Sequence, residues 1–369
     1  MIRAVHPQTI GISAISTYEP PWMLGNDWFS DILPRKFVQH TGILSRHISM
    51  EDEVAIGIRA VENLQREVHC DLQDCAAVVF VSPSIVPGDV AREYLDEQQD
   101  WLKSTNHAAR EFVRRLGIPA KQVHGINWGC SGYSKALAIV HRQIIPSMRL
   151  RQNQFILVVT ASRISRITDY GCKQTAPLFG DLATATILSP IGSEKHPVHF
   201  DLVLAKAEMR AAEGVFFDYH LQENAVVPTP EGGRSSTSRR LVFSLNGLGI
   251  ADAAPRAMAS ATAKALRGMS IRPEEVQFFV PHQAGTGIVR FTAMKLEEIG
   301  IRGEVINGLT GDVGNVSSCS VPYALRKTWD RLQGTIVCPT AGVGHPGDAK
   351  LSQGCIILQT TESHHHAEN

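Results

Sequence analysis

The sequence predicts an α/β fold, on three observations. Short apolar runs rich in Val, Ile and Phe alternate with longer segments whose apolar residues recur at helical spacing. A length of 369 residues with 43% hydrophobic content suffices for a large core and about two domains. The chain also looks weakly duplicated. Cys70 to Val81, a helix end, an acidic link and an apolar strand, parallels Met269 to Pro281. Farther on, the stretch from Cys130 to Leu137 is echoed by Asn315 to Leu325, which carries Cys319. Two similar halves would bring these two helix starts together at a central interface.

Taken in order, the expected strands are Thr9–Ile15, Ala77–Val81, Gln122–Asn127, Phe155–Ala161, Ala183–Ser189, Val198–Lys206, Val276–Val280, Gly334–Pro339 and Gly354–Gln359. The expected helices are Val54–Glu67, Ala108–Leu116, Tyr133–Ile145, Ala251–Leu266, Gly287–Ile299 and Ser318–Leu332. Lys+Arg and Asp+Glu both number 36, so there is no global basic field to attract nucleic acid. No apolar run reaches the roughly 20 residues of a membrane helix, and no basic region followed by an apolar block opens the chain. The seven cysteines are scattered and no pair has zinc-type spacing, which predicts a reduced, cytoplasmic protein without a metal site. The terminal His364-His365-His366 run reads as a solvated tail.

Three segments carry chemistry. Cys130 lies between the strand-like Gln122–Asn127 and a helix-like stretch from Tyr133. Unpaired N–H groups and the dipole of a helix start stabilise negative charge, which lowers a thiol's pKa. Cysteine is more often a small buried apolar residue, and this segment alone leaves both readings open. His282 ends the apolar strand Val276–Val280 before glycine-rich backbone, where it could project into a cleft or be satisfied in the core. Asn315, in a Gly/Asn turn entering a helix, could be a binding residue or an N-cap.

Together these segments resemble the thiolase-fold condensing enzymes, and within them the β-ketoacyl-acyl carrier protein synthase III group. Thr41 to Ile48 looks like that family's TGI-x-x-R-x-I motif, and Ile126 to Leu137 like its nucleophile motif. Phe179-Gly180-Asp181-Leu182-Ala183-Thr184-Ala185 resembles its FGDGAGA segment, and Val280 to Ala284 matches its VPHQA. Gly314-Asn315-Val316-Ser317-Ser318 matches the leading residues of its GN-x-S-x-A motif, and Gly342-Val343-Gly344 with Gly354 looks like its C-terminal glycine-rich loop.

The resemblance implies a five-layer α/β/α/β/α thiolase-like fold with two pseudo-symmetric halves, residues 1–192 and 193–362, followed by a disordered tail, 363–369. It implies that Cys130 is acylated, and that its N–H and that of Gly344 form the oxyanion hole. His282 and Asn315 would hold the carbonyl of a second thioester that decarboxylates and attacks the acyl-Cys130 thioester. Acyl carrier protein and coenzyme A thioesters are the implied partners, in a homodimer, with no cofactor, no nucleic acid and no membrane. An asparagine at position 315 favours carbon–carbon condensation over plain acyl transfer.

The departures from the family pattern carry expectations of their own. Leu182 replaces a glycine after Gly180-Asp181, which implies local repacking near the dimer interface. The Trp and Arg that often grip adenine before the TGI motif are missing, with Trp28 farther upstream. PHQAN-x-R becomes Pro281-His282-Gln283-Ala284-Gly285-Thr286-Gly287, so Arg290, Lys264 and Arg267 are the substitute cationic contacts for an acidic carrier. An enlarged connection over 84–115 and an insertion over His345–Gln353 raise a second reading: a ketosynthase/cyclase of the dialkylresorcinol-forming kind, joining two β-ketoacyl thioesters and closing a ring. An inactive partner subunit of another ketosynthase is the reading from a different class.

Overall fold

The longest apolar runs become strands covered on both faces. The computed structural model describes residues 8–85 and 98–361, with the side chains of 98–103 left out. In chain order, β1 (Ile10–Tyr18), β2 (Trp22–Gly25), α1 (Phe37–Thr41), β3 (Ser45–Ile48), α2 (Glu53–Val68) and β4 (Cys75–Val81) come first. Next are α3 (Gln98–Leu116), β5 (Gln122–Ile126), α4 (Gly132–Ile139), α5 (Ile145–Ser147), β6 (Phe155–Ser162) and β7 (Leu182–Pro190). Then β8 (Phe200–Ala211), β9 (Phe217–Pro228), β10 (Arg234–Leu245), α6 (Gly247–Met269), β11 (Val276–Phe279) and α7 (Thr286–Glu297) follow. The chain ends with β12 (Glu304–Val305), α8 (Ser320–Lys327), β13 (Thr335–Val343) and β14 (Lys350–Thr360). Every residue of β4, β6 and β7 is buried, the pattern of strands sandwiched between helical layers.

Among the described residues one ten-stranded sheet runs β12-β11-β13-β14-β8-β1-β7-β6-β4-β5. Its two ends repeat each other. From β1, the order β7-β6-β4-β5 is joined by two antiparallel and then two parallel pairings. From β8, the order β14-β13-β11-β12 has the same sequence of polarities. A short antiparallel pairing, Gly11 with Asp201 and Ile12 with Phe200, joins the two. Helix α2 covers β1, β6 and β7 on one outer face, and α6 covers β13 and β14 on the other. Between them, α4 packs on β8 and β14 while α8 packs on β1 and β7, so each central helix lies against strands of the other repeat. This is the five-layer α/β/α/β/α arrangement. The central core joins both repeats, with Leu137, Val158 and Ile156 in one cluster with Val321, Leu325 and Ile356.

Local chemistry sets the helix ends. Asp52 caps α2 by accepting from Ala55 N–H at 2.7 Å, and Asn246 caps α6 by accepting from Gly249 N–H at 3.2 Å. The single helix expected over Tyr133–Ile145 is instead α4, a π-helical turn over Val140–Ile144, and α5. Pro146, near the start of α5, has no N–H and crowds the carbonyl one turn back, which accounts for the widened turn.

Four expectations need correction or limits. From residue 98 onward the enlarged connection is helix α3, packed on β5, β4 and α2; residues 86–97 lie outside the described residues, as does the 363–369 tail. Within the expected insertion His345–Gln353, Lys350 to Gln353 belong to β14, because the β13–β14 ladder continues to Val343 paired with Leu351. Leu182 packs inside this chain with Val313, Val316, Cys319 and Tyr323. The twelve-residue strands β9 and β10 form a hairpin that the sequence reading missed.

Candidate active site

Cys130 stands on the 3₁₀ turn Gly129–Ser131, between β5 and α4. The turn needs glycine at 129, where φ is +49° and a Cβ would sit 3.1 Å from the Val343 carbonyl oxygen. The second helix start, Ser317–Cys319 before α8, abuts this turn, and Ser317 Oγ donates to Cys130 Sγ at 3.5 Å. The two echoed segments therefore meet. Burial pushes the Cys130 thiol up, with the Ser317 hydroxyl pulling the other way. That corrects the expectation of a lowered thiol pKa: loss of water around the thiol outweighs the helix start.

His282 follows β11 and continues its parallel ladder, its N–H donating to the Pro339 carbonyl at 2.9 Å. Its Nδ1 lies 2.5 Å from Oγ of Ser320, the first residue of α8. Ser320 Oγ accepts from Gln283 N–H at 3.3 Å, leaving its own proton for Nδ1. That tautomer puts the ring proton on Nε2. Burial lowers the His282 pKa to about 4, so the ring is neutral near pH 7.

Asn315 is fixed where two motif segments cross. Its N–H donates to the Leu178 carbonyl at 2.8 Å, and its carbonyl accepts from Gly180 N–H at 3.2 Å. Its Oδ1 accepts from Ser317 N–H at 3.0 Å, an Asx turn that leaves the amide NH₂ as the remaining donor. Arg46 braces the same crossing. Fully buried, it donates to Leu24 O at 2.9 Å, to Pro177 O at 2.5 Å and to Asn26 Oδ1 at 2.7 Å. Asp181 accepts from Ser49 N–H, Ser165 N–H and Ser165 Oγ, while burial raises its pKa to about 6. These two motif residues therefore serve as braces.

Cys130, His282 and Asn315 all line one cavity of about 1330 Å³. Its walls are mostly apolar, and the β9–β10 hairpin contributes Phe217, Tyr219 and Phe243. Gly342 presses on the nucleophile candidate: a Cβ there would lie 2.7 Å from Cys130 Cβ and 2.9 Å from Cys130 N.

Gly344 is not available as an oxyanion donor, because its N–H donates to the Lys350 carbonyl at 2.9 Å. Alternate residues of a strand face opposite neighbours. On β13, the carbonyls of Val337 and Pro339 face β11 and His282, accepting from Val280 N–H and His282 N–H. The β13–β14 register is unbroken, so Val343 shares that side, and its N–H faces the Cys130 turn. A one-residue difference in register separates Gly344 from Val343, and the glycine pattern alone cannot resolve it.

The cationic candidates divide. Arg290 lines the cavity and is exposed. Lys264, 3.4 Å from Glu208, and Arg267, in the last turn of α6, are exposed and are not among the described lining residues. Trp28 is buried against Phe29 and Tyr170 with the Arg234 guanidinium 4.7 Å from its ring centre, which leaves no open face for adenine. The sequence names Ser317 and Gly342 only as motif residues and gives no sign of Ser320; the roles of all three depend on contacts between segments distant in the chain.

Comparison with known proteins supports the resemblance. The 3-oxoacyl-[acyl-carrier-protein] synthase III family matches residues 125–204, and its C-terminal family matches 266–349. A β-ketoacyl-[acyl-carrier-protein] synthase III of Brucella anthropi is 27% identical, over 88% of this chain and 90% of its own. The 3-oxoacyl-[acyl-carrier-protein] synthase III structure from Aquifex aeolicus matches with TM-score 0.69 at 20% identity, covering 95% of this chain and 99% of that one. The Thermus thermophilus synthase III structure matches with TM-score 0.65 at 25% identity, with the same coverage of 95% and 99%. The chain is a thiolase-superfamily condensing enzyme of the β-ketoacyl-acyl carrier protein synthase III-like kind.

Proposed function

We propose that the chain carries out a decarboxylative Claisen condensation in fatty acid- or polyketide-type biosynthesis. The observation that carries this reading is the convergence of Cys130, His282 and Asn315 on one cavity. The Cys130 thiolate attacks the carbonyl of an acyl thioester and expels the carrier thiol, leaving an acyl-Cys130 thioester. The N–H groups of Cys130 and Val343 stabilise the oxyanion of that tetrahedral step. A malonyl- or β-ketoacyl-type thioester then enters, and its carbonyl oxygen accepts from His282 Nε2–H and the Asn315 amide. For the malonyl type, the C–C bond to the carboxylate breaks, carbon dioxide leaves, and the electron pair becomes an enolate held by these neutral donors. The enolate carbon attacks the acyl-Cys130 carbonyl, and collapse expels the Cys130 thiolate. Acyl carrier protein and coenzyme A thioesters are the proposed partners, with exposed Arg290 as a cationic contact at the cavity.

A homodimer is part of the same proposal, since β5 ends the sheet with an edge that no described strand covers. The cysteines among the described residues are all unpaired, which favours a reducing, cytoplasmic setting. The test is intact-mass detection of acyl adducts. Cys130→Ala is expected to abolish them, while Asn315→Ala keeps acylation and slows decarboxylation. No adduct from any coenzyme A or carrier thioester, or equal loss of both steps in the asparagine variant, overturns the reading.

One observation favours the ketosynthase/cyclase as a second reading. The cavity volume of about 1330 Å³ exceeds the ~300–1,000 Å³ common for small-molecule sites and leaves room for two chains. Product analysis with two β-ketoacyl thioesters separates them: a ring product supports the cyclase, and an open-chain product removes it.

A further inference from the structure

Cavity walls that hold an acyl chain are apolar, and Lys135 departs from that pattern. It lies on α4, lines the same cavity as Cys130, and is half-buried. Its Nζ rests 4.4 Å from the ring centre of Trp128. The described lining residues include Lys135, Lys173 and Arg290 but no Asp or Glu, and no described carboxylate forms an ion pair with Lys135. Burial lowers its pKa, and Arg142, of the same sign, lowers it further. A partly desolvated ammonium with an aromatic face for company lacks the anion that would best offset its lost hydration.

A second observation at the same place points the same way. The Trp128 Nε1–H is buried and has no hydrogen-bond partner among the described residues. Buried indole N–H groups normally find one. His345 stands edge-on to the Trp128 ring at 5.8 Å and also lines the cavity. An ammonium and the ring that carries this unpaired N–H therefore lie side by side on the wall of one arm of a mostly apolar cavity.

We propose that this arm, bounded by Trp128, Lys135 and His345, receives a carboxylate carried by the acyl chain on Cys130, so that the enzyme selects acyl donors with an acidic far end. The inference rests on the acylation of Cys130 proposed above and names its substrate class. The carboxylate could also be the β-carboxyl of the second thioester, but position argues against it. Lys135 is five residues beyond Cys130, about 7.5 Å along a helix, whereas the β-carboxyl lies next to the reacting carbon, on the side of His282 and Asn315.

The experiment measures Cys130 acylation rates by intact mass, with glutaryl-, adipyl- and pimeloyl-coenzyme A against pentanoyl-, hexanoyl- and heptanoyl-coenzyme A. Wild type is expected to favour the acid-ended member at one length or more by about 10-fold or above, as a charge-assisted contact implies. Lys135→Met should abolish or reverse that preference, and Lys135→Arg should keep most of it. Trp128→Phe, which removes the indole donor and keeps a smaller aromatic face, should reduce it, and covers the case in which Lys135→Met fails to fold. A methyl-ended preference in wild type overturns the proposal, as does an acid preference unchanged in both Lys135→Met and Trp128→Phe. Equal rates for acid-ended and methyl-ended donors at every length also overturn it. A Lys135→Met defect confined to a raised KM for malonyl-coenzyme A assigns the arm to the second substrate and overturns the acyl-chain assignment. No adduct from any of the six thioesters, or from their carrier-protein forms, sinks the acylation reading itself, a distinguishable failure.

Discussion

Gly342→Ala isolates how closely the β13 strand seats Cys130. Built on the glycine backbone, the new methyl carbon would lie 2.7 Å from Cys130 Cβ, 2.9 Å from Cys130 N and 3.2 Å from Cys130 Sγ. Non-bonded carbons are comfortable at ~3.5–4.0 Å, so one of the two segments must move by about 1 Å. β13 is held between β11 and β14 and lies in the buried interior, while the Gly129–Ser131 turn carries Cys130 at the cavity surface. The turn is therefore the part that yields. Overpacking of this kind costs roughly 1–3 kcal/mol of stability. A displacement near 1 Å of a reacting group lowers rate by about 100-fold.

The assay is an intact-mass time course with an acyl thioester that loads the wild type, alongside thermal melting. The expected result is a folded protein, slightly less stable, whose acylation is slower by about two orders of magnitude. Because Gly342 carries no reacting atom, the loss would come from position alone. Acylation at the wild-type rate in a folded Gly342→Ala protein would refute the packing argument, and with it the claim that β13 sets the nucleophile's place.

Three further outcomes follow from the site's electrostatics. Burial holds the Cys130 thiol above its ordinary value of 9.0, so alkylation of Cys130 by iodoacetamide should climb through pH 9; a plateau near pH 7 would contradict it. His282 titrates near 4 folded against 6.5 unfolded, a depressed pKa, so its contribution to stability is whole above about pH 6.5 and lost as pH falls toward 4. The span is worth about 3 kcal/mol, and urea melts of wild type against His282→Asn should converge by about that much between those limits. Ser320→Ala frees Nδ1 and leaves Gln283 N–H unpaired, so decarboxylation should slow while Cys130 acylation is kept; loss of both alike would make Ser320 merely structural.

What the sequence made legible depended on how local its physics was. The runs of β4 and β6 read as strands because both faces are buried, and no partner had to be known. His282 and Asn315 could be singled out because each ends an element or turn that local composition marks. The β9–β10 hairpin was invisible for the opposite reason. β10 is rich in Ser and Arg, β9 mixes polar residues among its apolar ones, and most of their length is exposed or half-buried, so no clear period-two apolar face forms. Yet this hairpin supplies Phe217, Tyr219 and Phe243 to the cavity wall. The oxyanion donor failed for a subtler reason: Gly342, Val343 and Gly344 alternate in direction, and only the pairing with β14 decides which N–H faces the nucleophile.

The duplication explains both why the site exists and why it is single. The repeat brings two cysteine-bearing helix starts against each other, and by local sequence either could be a nucleophile. Cys319 is fully buried, with its thiol hydrogen-bonded to the Leu182 carbonyl at 3.1 Å and accepting from Thr160 Oγ1 at 3.2 Å. Burial pushes it up to about 11. Cys130 instead opens on the cavity, with side-chain help only from Ser317 of the opposing turn. One repeat thus supplies the thiol. The other supplies the hydroxyl beside it, the histidine and the asparagine, and its own cysteine is sealed in packing. The asymmetry lies in what covers each turn, a carbonyl and core side chains over Cys319 and empty space over Cys130. Filling that space should therefore turn Cys130 toward the inert behaviour of Cys319, which makes cavity occupancy, beyond helix position, the variable that governs its reactivity.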